Sequence, residues 1–137
     1  MYERILAAID ESDIAERVLT AAQELAVLAG GEVWVLHAHE REPAKFGVME
    51  RESRESAQTV VDAAVEKLAA AEVTAHGSVA ETLYGYAARE IINAAKANDV
   101  GIIVMGSRGW GDLAGLLLGS TAHKVIHLAD RPVVVVR

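Results

Sequence analysis

The sequence predicts an α/β fold, a doubly wound parallel sheet with helices on both faces. Three observations carry this. Short apolar runs rich in β-branched residues alternate with longer segments of helical periodicity, in the order β-α-β-α-β-α-β-α-β. The runs mostly do not alternate apolar with polar residues, which suits strands covered on both faces. The 137 residues, 52% hydrophobic and 24% charged, suffice for one sizeable core and would leave two domains marginal. Residues 1–137 therefore read as a single domain.

The first strand is Ile5-Leu6-Ala7-Ala8-Ile9, ending at Asp10. Ile14, Val18, Ala22, Leu25 and Ala29 follow at three- and four-residue steps, with Ser12 as the expected cap and Gly30-Gly31 as the stop. Val33-Trp34-Val35-Leu36 is the second strand, ending at His37-Ala38. The stretch from Glu40 to Ser56 is charged and lacks clear periodicity, so a long loop is expected there. Ala57, Val61, Ala64, Val65 and Leu68 mark the second helix.

Val73-Thr74-Ala75-His76 is a weaker third strand. Ser78-Val79-Ala80-Glu81 has the spacing of a capping box, in which each side chain satisfies a free amide. It predicts the start of a third helix running through Leu83, Ala87, Ile91 and Ala95. Val100–Met105 is the fourth strand, ending at Gly106. A fourth helix opens at Gly119-Ser120-Thr121, uses Ala122, Val125, Ile126 and Ala129, and stops before Pro132. Val133–Val136 is the last strand.

Composition excludes several functions. There is no cysteine, hence no disulfide, thiolate chemistry, Cys-ligated zinc or iron–sulfur cluster. Thirteen basic against twenty acidic residues give a formal charge of −7, which disfavours nucleic acid or an anionic membrane as the main partner. No apolar run reaches the ~18 residues of a spanning helix. Met1-Tyr2-Glu3-Arg4 does not resemble the start of a signal peptide. A cytoplasmic protein is expected.

An open parallel sheet binds ligands beyond the carboxyl ends of its strands, where the strand order reverses. Five strands commonly adopt the order 3-2-1-4-5 or 2-1-3-4-5. In the first, the crevice lies between strands one and four. The residues after Ile9, Leu36 and Met105 are therefore the informative ones. Five of the chain's 11 glycines fall between Gly106 and Thr121. Glycines let backbone amides approach a phosphate, and the helix opening at Gly119-Ser120-Thr121 offers free amides and a favourable dipole. Arg108 adds a positive charge. Glycine content alone fits equally a surface loop ending in a helix cap.

Competing phosphate motifs fail. Gly106 and Gly111 have Walker glycine spacing, but Asp112 stands where lysine belongs. Gly109-x-Gly111-x-x-Ala114 lies several residues past its strand, and one helix and one strand are too little for the second half of a dinucleotide fold.

Gly106-x2-Gly109-x9-Gly119-Ser120 matches the spacing Gly-x2-Gly-x9-Gly-Ser/Thr directly after a buried fourth strand. Here the chain resembles the universal stress protein family, in its ATP-binding subgroup. Asp10 closing strand one, Leu36-His37-Ala38 closing strand two and Pro132 before a valine-rich terminal strand are similar to that family as well. The resemblance spans essentially the whole chain. It implies a five-stranded parallel sheet of order 3-2-1-4-5, Rossmann-like, with an adenine nucleotide, ATP with Mg²⁺ or Mn²⁺, in the crevice. By this resemblance Asp10 would bond the ribose hydroxyls, and the Ala38 backbone would meet adenine. Met105 would line the pocket beside Gly106. Gly106 and Gly109 would bring amides to the phosphates, and Gly119, Ser120 and Thr121 would hold them. Arg108 is added on electrostatic grounds. The Val133–Val136 strand resembles the family's homodimer edge, and an exposed valine-rich edge would otherwise invite aggregation. After strand three the family often has Gly-x-Pro, whereas this chain has Gly77-Ser78-Val79.

Other constellations are weaker. His37 and His39 share a strand face without an evident carboxylate partner, and the resemblance makes His37 structural or a pocket lining. His123 and His127 have metal-pair spacing on a helix but lack the glutamate that would follow His123, so a solvated face is expected. Asp10, Glu11 and Asp13 do not make a receiver domain. The third strand ends at His76-Gly77 rather than aspartate, and the last strand runs into the terminal Arg137 without a lysine. One of these acids can help hold a metal on a triphosphate. Trp110, Leu113 and Leu116-Leu117-Leu118 form an apolar stretch that either packs on the sheet's end or offers a partner surface ordered by nucleotide.

No catalytic base is evident for hydrolysis. The leading expectation is an ATP-binding stress-response or regulatory module with slow hydrolysis or none. The alternatives are an Mg²⁺-dependent hydrolase or phosphotransferase using the same pocket, and a dimeric interaction module that needs no ligand.

Overall fold

The computed structural model describes residues 1–44, 47–50, 53–109 and 118–137. Ten elements follow in order: β1 (Arg4–Ile9), α1 (Ala15–Ala29), β2 (Glu32–Ala44), β3 (Gly47–Glu50), α2 (Arg54–Ala70), β4 (Ala75–Leu83), α3 (Ala87–Ala97), β5 (Ile102–Gly106), α4 (Ser120–Leu128) and β6 (Val133–Val136). The parallel strands lie in the order β4-β2-β1-β5-β6. This is the 3-2-1-4-5 arrangement, with β3 added antiparallel to the end of β2.

Two cores flank the sheet. Ile5, Ala7, Ile9, Val33, Val35 and Val104 point to one face, where Val18, Leu19, Ala22 and Ala26 of α1 and Val61, Ala64 and Leu68 of α2 cover them. Leu6, Leu36, Ile103 and Met105 point to the other, under Ala88, Ile91, Ile92 and Ala95 of α3 and Ala122 and Val125 of α4. The period of two along each strand divides the residues between the layers. Each fully buried Val, Leu or Ile contributes about 1.5–3 kcal/mol. Gly30 ends α1 in the left-handed region at φ 62°, donating its N–H to the Ala26 and Val27 carbonyls.

Three expectations need correction. Ser78-Val79-Ala80-Glu81 is not a helix start but part of β4, which pairs with β2 over nine residues, from Val33↔Ala75 to Arg41↔Leu83. A capping box satisfies two amides; this ladder satisfies many more. Helix α3 begins at Ala87, and its cap residue Tyr86 makes no side-chain capping bond.

The expected loop after Glu40 is strand for much of its length. Arg41 pairs with Leu83 and also with Glu50, so β3 lies on the opposite edge of β2 from β4, beyond the carboxyl end of β1. Ser12 is not the cap of α1; its N–H and hydroxyl both donate to Asp10 Oδ1, and the helix starts at Ala15. A cap does occur at Ser53, whose hydroxyl accepts from the Ser56 N–H at 3.0 Å to start α2. Among the described residues no helix is long and apolar enough to cross a membrane.

Candidate nucleotide crevice

β1 and β5 are neighbours, yet α1 leaves β1 toward one face and α4 follows β5 on the other. The chain therefore parts at the carboxyl ends of these two strands, and a crevice opens there. It encloses roughly 590 Å³ of space not filled by atoms, part of it open solvent. Ala8, Leu36, Ala38 and Met105 from the sheet and Ala87 and Ile91 from α3 give an apolar slot. Asp10, Glu40, Arg108, Gly109 and Thr121 give a polar rim.

Of the residues singled out in the sequence, Asp10, Ala38, Met105, Gly106, Arg108, Gly109 and Thr121 line this crevice. Gly119 and Ser120 are not among its lining residues; they stand at the cap and first position of α4. Residues 110–117 lie outside the described residues, and with them Trp110, Leu113, Leu116 and Leu117 of the apolar stretch.

The geometry assigns several of these residues local tasks. Asp10 is fixed by Ser12, whose N–H reaches Oδ1 at 2.8 Å, so its carboxylate is oriented at the crevice mouth. Gly106 sits against α1: a Cβ there would meet Ile14 Cγ2 at 2.7 Å and the Arg108 carbonyl at 3.1 Å. Its missing side chain lets β5 approach the start of α1. Ser107 was not singled out by its sequence. Its N–H donates to the Val136 carbonyl at 2.7 Å, and its own carbonyl accepts from the Gly119 N–H at 2.5 Å. One buried residue thus joins the ends of β5 and β6 to the start of α4. Nothing in its type within a glycine-rich segment signals that role.

The Gly119 amide is engaged in that bond, and the Gly119 carbonyl accepts the first helical bond from His123 at 3.0 Å. The amides of Ser120, Thr121 and Ala122 are the first-turn donors without an intrahelical acceptor. Amides in this position at a helix start favour an anion.

His37 is structural. It is buried, and its Nδ1 donates to the Ile9 carbonyl at 2.9 Å, tying β2 to the end of β1. His39 is wholly buried, and Glu81 Oε1 lies 4.0 Å from its Nδ1 and 3.2 Å from Arg54 Nε. A carboxylate neighbour therefore exists, contrary to the sequence reading, because β4 runs past residue 81. His123 and His127 are exposed on α4. Among the described residues no group of three or more His, Cys, Asp or Glu could hold a metal ion. A divalent ion here would depend on ligand phosphates plus one of the acids after β1.

The sequence profile described as "Universal stress protein family" matches residues 1–137. The universal stress protein YxiE of Bacillus subtilis is 35% identical over 153 residues, covering 100% of both chains. The structure of the protein MJ0577 superposes with a TM-score of 0.81 at 27% identity, covering 99% of this chain and 96% of that one. A universal stress protein from Archaeoglobus fulgidus, solved in complex with dAMP, has a TM-score of 0.75 at 26% identity, covering 100% and 98%.

Proposed function

This chain belongs to the universal stress protein family, and from that premise we propose that residues 1–137 are one ATP-binding domain. It acts in the cytoplasm as a nucleotide-dependent stress-response or regulatory module, with slow hydrolysis or none. One observation carries the reading. A single crevice joins an apolar slot, an oriented carboxylate at Asp10 and the start of α4 at Thr121 and Ala122, whose amides have no intrahelical acceptor. These are the three chemistries that the base, ribose and phosphates of an adenine nucleotide require. The dAMP bound by the Archaeoglobus fulgidus relative supports the ligand class.

The residues present fit the ligand. Ala8, Leu36, Ala38 and Met105 exclude water from the base, and the Ala38 backbone meets its polar edge. Asp10 accepts from the ribose hydroxyls. Gly106 and Gly109 keep backbone close to the phosphates, which Ser120 and Thr121 hold at the start of α4 while Gly119, fastened to Ser107, fixes the cap and Arg108 offsets charge. Bound ATP brings a triphosphate that carries Mg²⁺ or Mn²⁺. The protein pairs with a second copy through the outer edge of β6, Val133–Val136.

The test compares wild type with Gly119→Val. Gly119 is buried at the cap of α4, so the added side chain displaces the anion donors. The variant should lose ATP binding while keeping wild-type circular dichroism and its oligomeric state. A folded Gly119→Val protein that binds ATP as wild type does would overturn the assignment. Mg²⁺-dependent turnover in the ordinary enzyme range of ~1–10³ s⁻¹ would replace the module by a hydrolase or phosphotransferase.

A further inference from the structure

Gly85, in the turn between β4 and α3, is held from both sides. Its N–H donates to Glu40 Oε2 at 2.9 Å, and its carbonyl accepts from Lys124 Nζ at 3.2 Å. Its φ of +89° reserves the position for glycine. Glu40 comes from β2 and lines the crevice two residues beyond Ala38, on the same strand face. Lys124 comes from α4, three residues past Thr121. Immediately after the turn, Ala87 and Ile91 of α3 form one wall of the apolar slot.

The turn is not anchored by burial. Tyr84 and Tyr86 are 54% and 51% exposed, and Tyr86 makes no side-chain capping bond. Its fastenings are polar: the Tyr84 N–H donates to the Arg41 carbonyl at 2.9 Å, the Tyr86 N–H to the Leu83 carbonyl at 3.1 Å, and the Gly85 N–H to Glu40, whose charged carboxylate is the stronger kind of acceptor.

We propose that Glu40 is a positioning residue for the nucleotide base: it latches the β4–α3 turn through the Gly85 N–H and so fixes the wall that Ala87 and Ile91 present to the base. This rests on the adenine-nucleotide reading of the crevice. Glu40 touches no phosphate in this account. Its effect falls on the base subsite, equally for every ligand that carries the base.

That property separates a latch from a charge. If Glu40 acted only as a negative charge near the crevice, its removal would tighten binding of anionic ATP and leave neutral adenosine unchanged. A latch predicts the opposite sign for ATP and the same loss for both ligands.

The test uses the full chain and the variants Glu40→Ala and Glu40→Gln, titrated calorimetrically with Mg-ATP and with adenosine. Amide hydrogen exchange at Gly85 is followed in the unliganded proteins. Glu40→Ala should speed exchange at Gly85 and weaken ATP and adenosine alike, by roughly three- to tenfold. Glu40→Gln keeps an acceptor oxygen and should restore adenosine affinity to within about threefold of wild type. Unchanged exchange in Glu40→Ala overturns the latch. So does faster exchange with unchanged affinities, or tighter ATP binding with adenosine unaffected. Wild-type protein that binds neither ligand overturns the nucleotide reading and this proposal with it. Wild type that binds both while Glu40→Ala matches it overturns the latch alone.

Discussion

The backbone N–H of Gly119 is bonded to the carbonyl of Ser107, so the start of α4 is fastened to the end of β5. The same Ser107 is fastened by its N–H to Val136 at the end of β6. Gly119 therefore supplies a fixed cap, and in the proposed complex the donors to the phosphates are the three amides that follow. Anion binding at a helix start requires those amides to point outward with no other partner. The Ser107 bond fixes the orientation of the cap from which they follow.

Asp10 should set sugar selectivity. Its carboxylate, oriented by Ser12, accepts from ribose hydroxyls in the proposed complex. Asp10→Ala should weaken ATP by roughly ten- to a hundredfold, the range for hydrogen bonds to a charged group. It should also shrink the preference for ATP over 2′-deoxy-ATP. Parallel titrations of both nucleotides check this; an unchanged ratio contradicts the ribose role.

Gly106 should be intolerant of a side chain for a reason unrelated to ligand. Gly106→Ala places a Cβ against Ile14 Cγ2 and should cost about 1–3 kcal/mol of stability. Adding Ile14→Ala removes the opposing atom. The double variant should be more stable than the sum of the single effects, by about 0.5–3 kcal/mol. Denaturant unfolding of the four proteins measures the coupling, and simple additivity would contradict the contact.

His37 should matter for folding rather than for ligand. Its buried bond to the Ile9 carbonyl ties two strand ends together. His37→Phe should lower stability by about 1–3 kcal/mol. Nucleotide affinity should stay within about threefold, as for a site outside the binding residues. A variant of wild-type stability with impaired binding would instead make His37 a pocket residue.

The β6 edge should hold the proposed dimer. β6 pairs with β5 along one edge, and among the described residues no strand pairs with its other edge. Val135→Asp should convert a sedimenting dimer into monomer, because a charged edge resists pairing. Wild-type monomer, or dimer that survives the substitution, would contradict this interface.

The parallel sheet and its crevice were legible because buried strands write unbroken β-branched runs, as at Ile102–Val104, and the ligand end follows from topology. The glycine spacing from Gly106 to Gly119 was legible because it is fixed along the chain. What was missed lies where backbone pairing prevails without an apolar signature. The charged stretch through Glu40-Arg41-Glu42 reads as loop, yet it extends a strand through ladder bonds on both edges. In a loop, Glu40 has no fixed face; in the strand it falls on the same face as Ala38. Ser78 and Glu81 had cap spacing by coincidence, in an edge strand that tolerates polar residues. The true start of α3 at Tyr86 carries no capping side chain, and Gly85 was the one sequence cue to a turn there.

The most direct test of the central claim is calorimetric titration of nucleotide-free protein with Mg-ATP, at protein concentrations suited to micromolar affinity. Saturation near one ATP per chain is the result predicted for a crevice with one base slot and one anion-binding helix start. The absence of saturable binding by folded protein would contradict the ATP assignment and leave a dimeric interaction module that uses no nucleotide.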